Sequence, residues 1–138
     1  MAITLSDGVT TITLPDDLVW EDEHDYHPVE QAVDYTLTGA ILVHTAIRQA
    51  GRPITLVGEE DHSWVTRQTV EALKAYADVA PDPETGDGVY QLTLRGTTRD
   101  VVFRHHDGEP MKSSIILYKG KAPVSSDWYQ ITLKFMEV

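Results

Sequence analysis

The sequence predicts a mainly β fold with one α-helix: an antiparallel β-sandwich or partly open barrel flanked by a single mid-chain helix, over one domain spanning residues 1–138. Three observations carry this expectation. Apolar residues alternate at period two in several short segments, most cleanly in Trp128-Tyr129-Gln130-Ile131-Thr132-Leu133-Lys134-Phe135-Met136. The i, i+3, i+4 spacing of an amphipathic helix occurs in one place, from Val65 to Ala77, too isolated for repeated βαβ units. Clusters of glycine, proline, aspartate and serine separate the segments and read as turns.

Taken in order, Ala2–Leu5 and Val9–Leu14 form a hairpin about the Ser6-Asp7-Gly8 turn, with threonine on the outward face. Pro15-Asp16-Asp17 ends that strand, Leu18-Val19-Trp20 is a brief apolar patch, and Glu21–Glu30 is a charged surface loop closed by His27-Pro28. From Val33 to Ile47 the spacing predicts one long strand, or two joined by a bulge at Gly39. Tyr35, Leu37, Ile41, Val43 and Ile47 share one parity. The turn at Gln49–Arg52 then folds this segment back on a strand at Pro53–Val57, and the helix follows, opened by Asp61 or Ser63 as N-cap. Trp64 is a wedge at its first turn, and Trp64, Val65, Leu73 and Tyr76 are its core residues; Thr69, Ala72 and Ala77 continue the stripe. Ala80–Gly88, which includes Pro83, is a loop. Strands resume at Val89–Leu94, Asp100–Arg104 and Ser114–Tyr118, and the segment Trp128–Met136 is last, with Tyr129, Ile131, Leu133 and Phe135 inward.

The chain has no cysteine, so disulfides, thiolate zinc, iron–sulfur clusters and cysteine nucleophiles are excluded and the fold rests on packing. No apolar run approaches the roughly 20 residues of a membrane span, and the N-terminus lacks the pattern of a signal peptide, so the expectation is a soluble, unexported chain with no membrane partner. The net charge of −11 is uneven: residues 1–47 hold nine acids and no lysine or arginine, whereas all eleven basic residues lie from Arg48 onward, against thirteen acids. That asymmetry argues against sequence-specific nucleic-acid binding and suits contact with a basic surface, or simply solubility. A sandwich leaves strand edges open, and the 15–30 segment has no basic residue near it in sequence. Trp20, Glu21, Asp22 and Glu23 are therefore candidate oligomer-interface residues, with Arg95, Arg99 and Lys121 as their partners on another copy.

Signatures of chemistry are sparse. Glu21–His27 gathers carboxylates and two imidazoles, but without the alternating ligands and glycine of an EF-hand loop or the helical spacing of H-E-x-x-H, so no metal or cofactor is expected. His62 and His105-His106-Asp107 are scattered, no glycine-framed serine elbow occurs, and Gly86-Asp87-Gly88 is acidic where a phosphate loop needs lysine. No catalytic residue is assigned. Tryptophans at 20, 64 and 128 suit core or subunit interface.

The strand Arg52-Pro53-Ile54-Thr55-Leu56, with a helix opening at Trp64-Val65-Thr66-Arg67 and continuing Val70-Glu71-Ala72-Leu73 inside an otherwise β chain, resembles small tail proteins of long-tailed phages. It is most similar to the distal-tail and baseplate-hub group, related to the tail-tube fold, over about residues 30–136. The resemblance implies a structural subunit of the virion tail, assembled in the host cytoplasm as a homo-oligomeric ring joining tail tube to tail tip. Its partners would be other copies and the neighbouring tail-tube and baseplate proteins, with an acidic lumen compatible with passing DNA. The chain departs from that group in lacking an appended carbohydrate-binding domain. Two other classes compete: a metal-dependent enzyme or binding module using residues 21–27, and a binding module using exposed tryptophans.

Overall fold

The computed structural model describes residues 3–82, 84–117 and 120–138. It is mainly β, sandwich-like and not a closed barrel. Its main sheet runs in the order β2 (Thr11–Leu14), β1 (Ile3–Ser6), β8 (Val89–Leu94), β9 (Thr97–Phe103), β11 (Trp128–Glu137), β6 (Pro53–Val57), β3 (Val19–Trp20). The end strands β2 and β3 do not pair with each other, which leaves the path open.

Strand β11 organises this sheet because it is long enough to serve two sets of partners. Along one edge it pairs with β6 through Thr132–Met136, then with β7 (Val65–Thr66) through Trp128 and Tyr129. Along the other it pairs with β9 through Phe135–Glu137, then with β10 (Met111–Ile115) through Tyr129–Leu133. Each edge thus carries one interrupted strand. Residues 58–64 leave the first and residues 104–110 leave the second, and the chain resumes the same ladder afterwards. Backbone hydrogen bonds Gly58 N to Ile131 O (2.7 Å) and Lys134 N to Pro110 O (2.9 Å) mark the departure and the return. Gly58 suits this close approach: a Cβ would lie 3.0 Å from the Ile131 carbonyl, tighter than ordinary contact, and the neighbouring backbone would have to give by a few tenths of an ångström.

The alternation predicted for β11 holds, with Tyr129, Ile131, Leu133 and Phe135 all buried. They meet Leu5, Leu14, Ile54, Leu56, Leu92 and Val101 in one core, and helix α1 (Arg67–Ala77) lies against β2, β7, β10 and β11. Burying such side chains stabilises by about 1.5–3 kcal/mol each, so this cluster dominates the favourable side of folding. The helix face is Val70, Leu73 and Ala77, spaced i, i+3, i+7.

Several expectations are corrected. The helix begins at Arg67, not at the 61–65 stretch, and Val65 is buried as a strand residue paired with Tyr129. Neither Asp61 nor Ser63 caps it. Thr66 is the N-cap and makes no side-chain cap; Arg67 N and Gln68 N instead bond the carbonyls of Asp127 and Ser125 (2.9 and 3.3 Å), so a distant loop satisfies the helix's free donors. Trp64 is no wedge: it is partly exposed, its indole N–H bonds Glu60 O at 2.9 Å, and its ring lies 6.4 Å from that of Trp128. Leu18-Val19-Trp20 contributes an edge strand, β3, with Leu18 and Trp20 buried. The strand expected at 114–118 lies at 111–115, and that expected at 100–104 starts at Thr97. Expectations for Ala2, Pro83 and Tyr118 fall outside the described residues.

The largest difference concerns residues 29–47. They form neither one bulged strand nor a hairpin with β6. Strands β4 (Val29–Tyr35) and β5 (Ile41–Ile47) pair only with each other, as a two-stranded sheet separate from the main one.

Candidate assembly surface

The β4–β5 hairpin is an arm. Its seven register pairs run from Val29↔Ile47 to Tyr35↔Ile41, and Arg48 N bonds Pro28 O at 2.8 Å across its base. At the tip, Gly39 (φ 85°) allows the chain to reverse; Thr36 N bonds Ala40 O (2.8 Å), Gly39 N bonds Thr36 O (3.0 Å), and the Thr36 hydroxyl accepts from Ala40 N (3.1 Å). The tip is ordered by its own bonds, and Leu37 stands on it fully exposed.

Register fixes which side chains share a face. Val29, Val33 and Tyr35 lie opposite Ile47, Val43 and Ile41, so three cross-strand apolar pairs occupy one face, interrupted by Gln31 and Thr45. The other face carries Glu30, Ala32, Asp34, Leu42, His44 and Ala46, with Arg48 and Glu30 ion-paired at the base. An antiparallel sheet that is apolar on one side ordinarily lays that side on a core. Here every residue of both strands is exposed. An isolated two-stranded hairpin is at best marginal in water, and a cluster of exposed apolar side chains of this kind marks an interaction surface.

The candidate interface residues of the 15–30 segment lie elsewhere. Trp20 is buried in a cage of three guanidinium groups: Arg52, Arg99 and Arg95 lie 4.8, 5.2 and 5.7 Å from its ring centroid. Asp22 accepts from Thr55 N (2.8 Å) and from the Thr55 hydroxyl (3.0 Å), 3.9 Å from the buried Arg104. Glu23 receives Arg95 through both carboxylate oxygens (2.7 and 2.6 Å), while Arg99 meets Glu137 at 3.5 Å. Within the chain, Arg104 and Arg95 are thus the cations beside Asp22 and Glu23. Glu21 and Lys121 are exposed. Leu73 is buried and Tyr76 partly so, stacked on Tyr90 at 4.6 Å with its hydroxyl donating to Thr10 O (3.1 Å).

Two groups of the kind that can take part in catalysis, Ser63 and Arg104, lie at loops. Ser63 is buried with φ 64°, donates to Asp17 (2.8 Å) and lies 2.8 Å from His62 Nδ1, tying loop 58–64 to the turn before β3. A nucleophile would have to give its proton to the imidazole; this hydroxyl gives it to Asp17. Arg104 Nε is 2.8 Å from Asp107, an ion pair by distance whose N–H is not aimed along the contact. Partial burial pushes the Asp107 carboxyl up, but the Arg104 guanidinium beside it, with Lys134 and His106, outweighs this and leaves it below its ordinary value. Among the described residues no three His, Asp or Glu side chains group to hold a metal ion, and no helix is long and apolar enough to cross a membrane.

The body presents a cleft rich in exposed apolar side chains. It encloses about 340 Å³ and is lined by Trp64, Ile116, Leu117, Ser126, Asp127 and Trp128. A second cleft, of about 520 Å³, lies between the C-terminus of α1 and β9, lined by Val79, Val102, His105, His106 and Met136. Comparison with protein-family models, curated proteins and solved structures found no match to this chain.

Proposed function

We propose that this chain is a structural subunit of a phage tail or baseplate, of the distal-tail or hub kind, which assembles as a homo-oligomeric ring through its β4–β5 arm. The arm is the observation that carries the reading: six apolar side chains on one face of a hairpin with no support from its own body. Packing that face on a neighbour gives it the second layer a sheet needs. The mainly β fold with one helix is compatible with the resemblance to tail proteins, and in that setting the neighbouring tail-tube and baseplate proteins are the further partners and the virion is the location.

Because Pro28 and Arg48 are already bonded across the arm's base, residues 29–47 can be replaced by a two-residue turn without touching the main sheet. Sedimentation velocity of both proteins tests the proposal. The intact chain should sediment as an oligomer and the armless variant as a monomer with unchanged circular dichroism from the body. An intact chain that is monomeric at all concentrations, or an armless chain that still assembles, would refute it.

A further inference from the structure

Resting on that reading, we infer that β4 of the arm adds as an antiparallel strand to the free edge of β10 in a second copy of this chain. Among the described residues β2, β3, β7 and β10 of the main sheet pair on one side only, and β3 and β7 are two residues long. That leaves β2 and β10 as edges long enough to take an added strand. Beside β10 there is room for one: a groove of about 590 Å³ is lined by Lys74, Ala77 and Asp78 at the end of α1, by His105 and by residues 109–114.

Hydrogen bonding selects the edge and the direction. In an antiparallel ladder, residues that bond the partner strand alternate with residues whose N–H and C=O point the other way. The bonds Lys134 N to Pro110 O (2.9 Å) and Ile116 N to Trp128 O (3.1 Å) put residues 110, 112, 114 and 116 on the bonded side. Met111, Ser113 and Ile115 therefore turn their backbone groups away from β11, and on this face of the strand Met111 and Ile115 pack against the core. By the same alternation, Arg48 N to Pro28 O and Thr36 N to Ala40 O leave Val29, Gln31, Val33 and Tyr35 with outward backbone groups on β4. These residues carry the arm's apolar face. Residues directly opposite in an antiparallel ladder share a face, so joining the two edges lays that apolar face on the core side of the neighbour's sheet. The β2 edge does the reverse. Asp7 N to Thr10 O (3.2 Å) leaves Thr11 and Thr13 outward, both with exposed side chains, and an arm paired there would keep its apolar face in water.

The β5 edge of the arm obeys the same rule, and charge decides between the two. Lys112 is exposed on the outer face of β10, and among the described residues neither it nor Asp34 has an ion-pair partner. The outer face of β5 carries Leu42, His44 and Ala46, whereas that of β4 carries Glu30, Ala32 and Asp34, with Glu30 already held by Arg48. Setting Asp34 opposite Lys112 fixes the register: Tyr35 faces Met111, Val33 faces Ser113 and Ala32 faces Ser114. Of the groove's acids, Asp78 is held by Lys74, and Glu109 lies three residues before Lys112, toward the uncharged tip of the arm. Arm and edge are different surfaces, so the contact is heterologous and, repeated, closes a ring or extends a filament.

The chain has no cysteine, and residues 32 and 114 would form a non-hydrogen-bonded pair with Cα atoms about 4.5 Å apart, within disulfide range. Ala32→Cys and Ser114→Cys, prepared singly, mixed and oxidised, should give a mixed disulfide dimer by intact mass. Ser114→Cys should not join Ala46→Cys on β5, and Ala32→Cys should not join Thr13→Cys on the β2 edge. Ser113→Pro removes an outward N–H without touching the β11 ladder and should weaken self-association about tenfold or more in sedimentation, whereas Ser113→Ala should not. Lys112→Asp should weaken it too, and adding Asp34→Lys should restore it. Cross-linking of Ser114 to Ala46, of Ala32 to Thr13, or of Ala32 chiefly to itself overturns the inference. So does loss of assembly on arm removal with no Ala32–Ser114 cross-link, which leaves the assembly reading standing. A monomeric intact chain overturns both.

Discussion

Replacing Leu73 by alanine removes three buried carbons from the one helix of the fold. Leu73 is fully buried, with Val70 one turn before it and Ala77 one turn after, on the face that meets β2, β7, β10 and β11. The neighbours are β-sheet residues fixed by their ladders, so the site collapses poorly and the cost falls within the usual 2–5 kcal/mol; about 3 kcal/mol is a fair central value. At roughly 2.1 cal/mol/K of unfolding entropy per residue, a chain of this length has about 0.3 kcal/mol/K, and the melting temperature should fall by about 10 °C. Lys74 next to it is the control. Its partner is Asp78 one turn on, both side chains are mostly in water, and such a pair contributes about 0.3–0.5 kcal/mol, which alanine's helix propensity partly offsets. Thermal unfolding by circular dichroism should show a shift near 1 °C or less for Lys74→Ala. Equal small shifts for the two variants would mean that the helix does not seal the core.

Other perturbations follow from the same contacts. Asp22→Ala should destabilise far more than Glu21→Ala, by about 2–4 kcal/mol against a few tenths in urea titration, because it strands the Thr55 N–H and hydroxyl and the buried Arg104, whereas Glu21 is exposed. Asp7 accepts from Thr10 N (2.7 Å) and Val9 N (2.9 Å), and these bonds hold its carboxyl below the ordinary 3.8. A depressed folded-state value means that its contribution is complete above that ordinary value and disappears as the pH falls through the folded one. Asp7→Ala should therefore lower the melting temperature at pH 7 and make little difference in strong acid; an equal deficit at both would refute the assignment. Melting with and without a chelator should coincide, since Asp22 and Glu23 are held by Thr55 and Arg95; a drop of many degrees would revive a metal role for residues 21–27.

Much of this architecture was legible because period two survives wherever one face of a strand is buried. In β11 the residues from Tyr129 to Phe135 alternate apolar inward and polar or charged outward, with exposed Trp128 and partly exposed Met136 breaking the outward pattern at its two ends, so element and core face were both readable. The helix start was not. Val65 fits a helical stripe and a strand equally well, and what settles it is non-local: the 125–127 carbonyls take the first helical N–H groups. Val70 escaped the stripe assigned to the helix because a start at Val65 places the stripe on a neighbouring face. Gly39 permits both a bulge and a reversal, and the pairing of Val29-Glu30-Gln31-Ala32 with His44-Thr45-Ala46-Ile47 was hidden by the weak strand character of the first segment. Of the residues given one parity, Tyr35, Ile41, Val43 and Ile47 do share the apolar face of the arm, whereas Leu37 stands on the tip turn outside both strands. The arginine cage around Trp20 joins residues from three distant segments, and no local signal announces it.

The most direct measurement is hydrogen exchange of the 29–47 backbone amides as a function of protein concentration. An uncovered two-stranded hairpin opens readily, whereas one lying on a neighbour is protected by the interface. Slow exchange in the arm at high concentration, becoming fast on dilution while β11 keeps its protection, is the result this account predicts. Arm amides that exchange at the same rate at every concentration would contradict it.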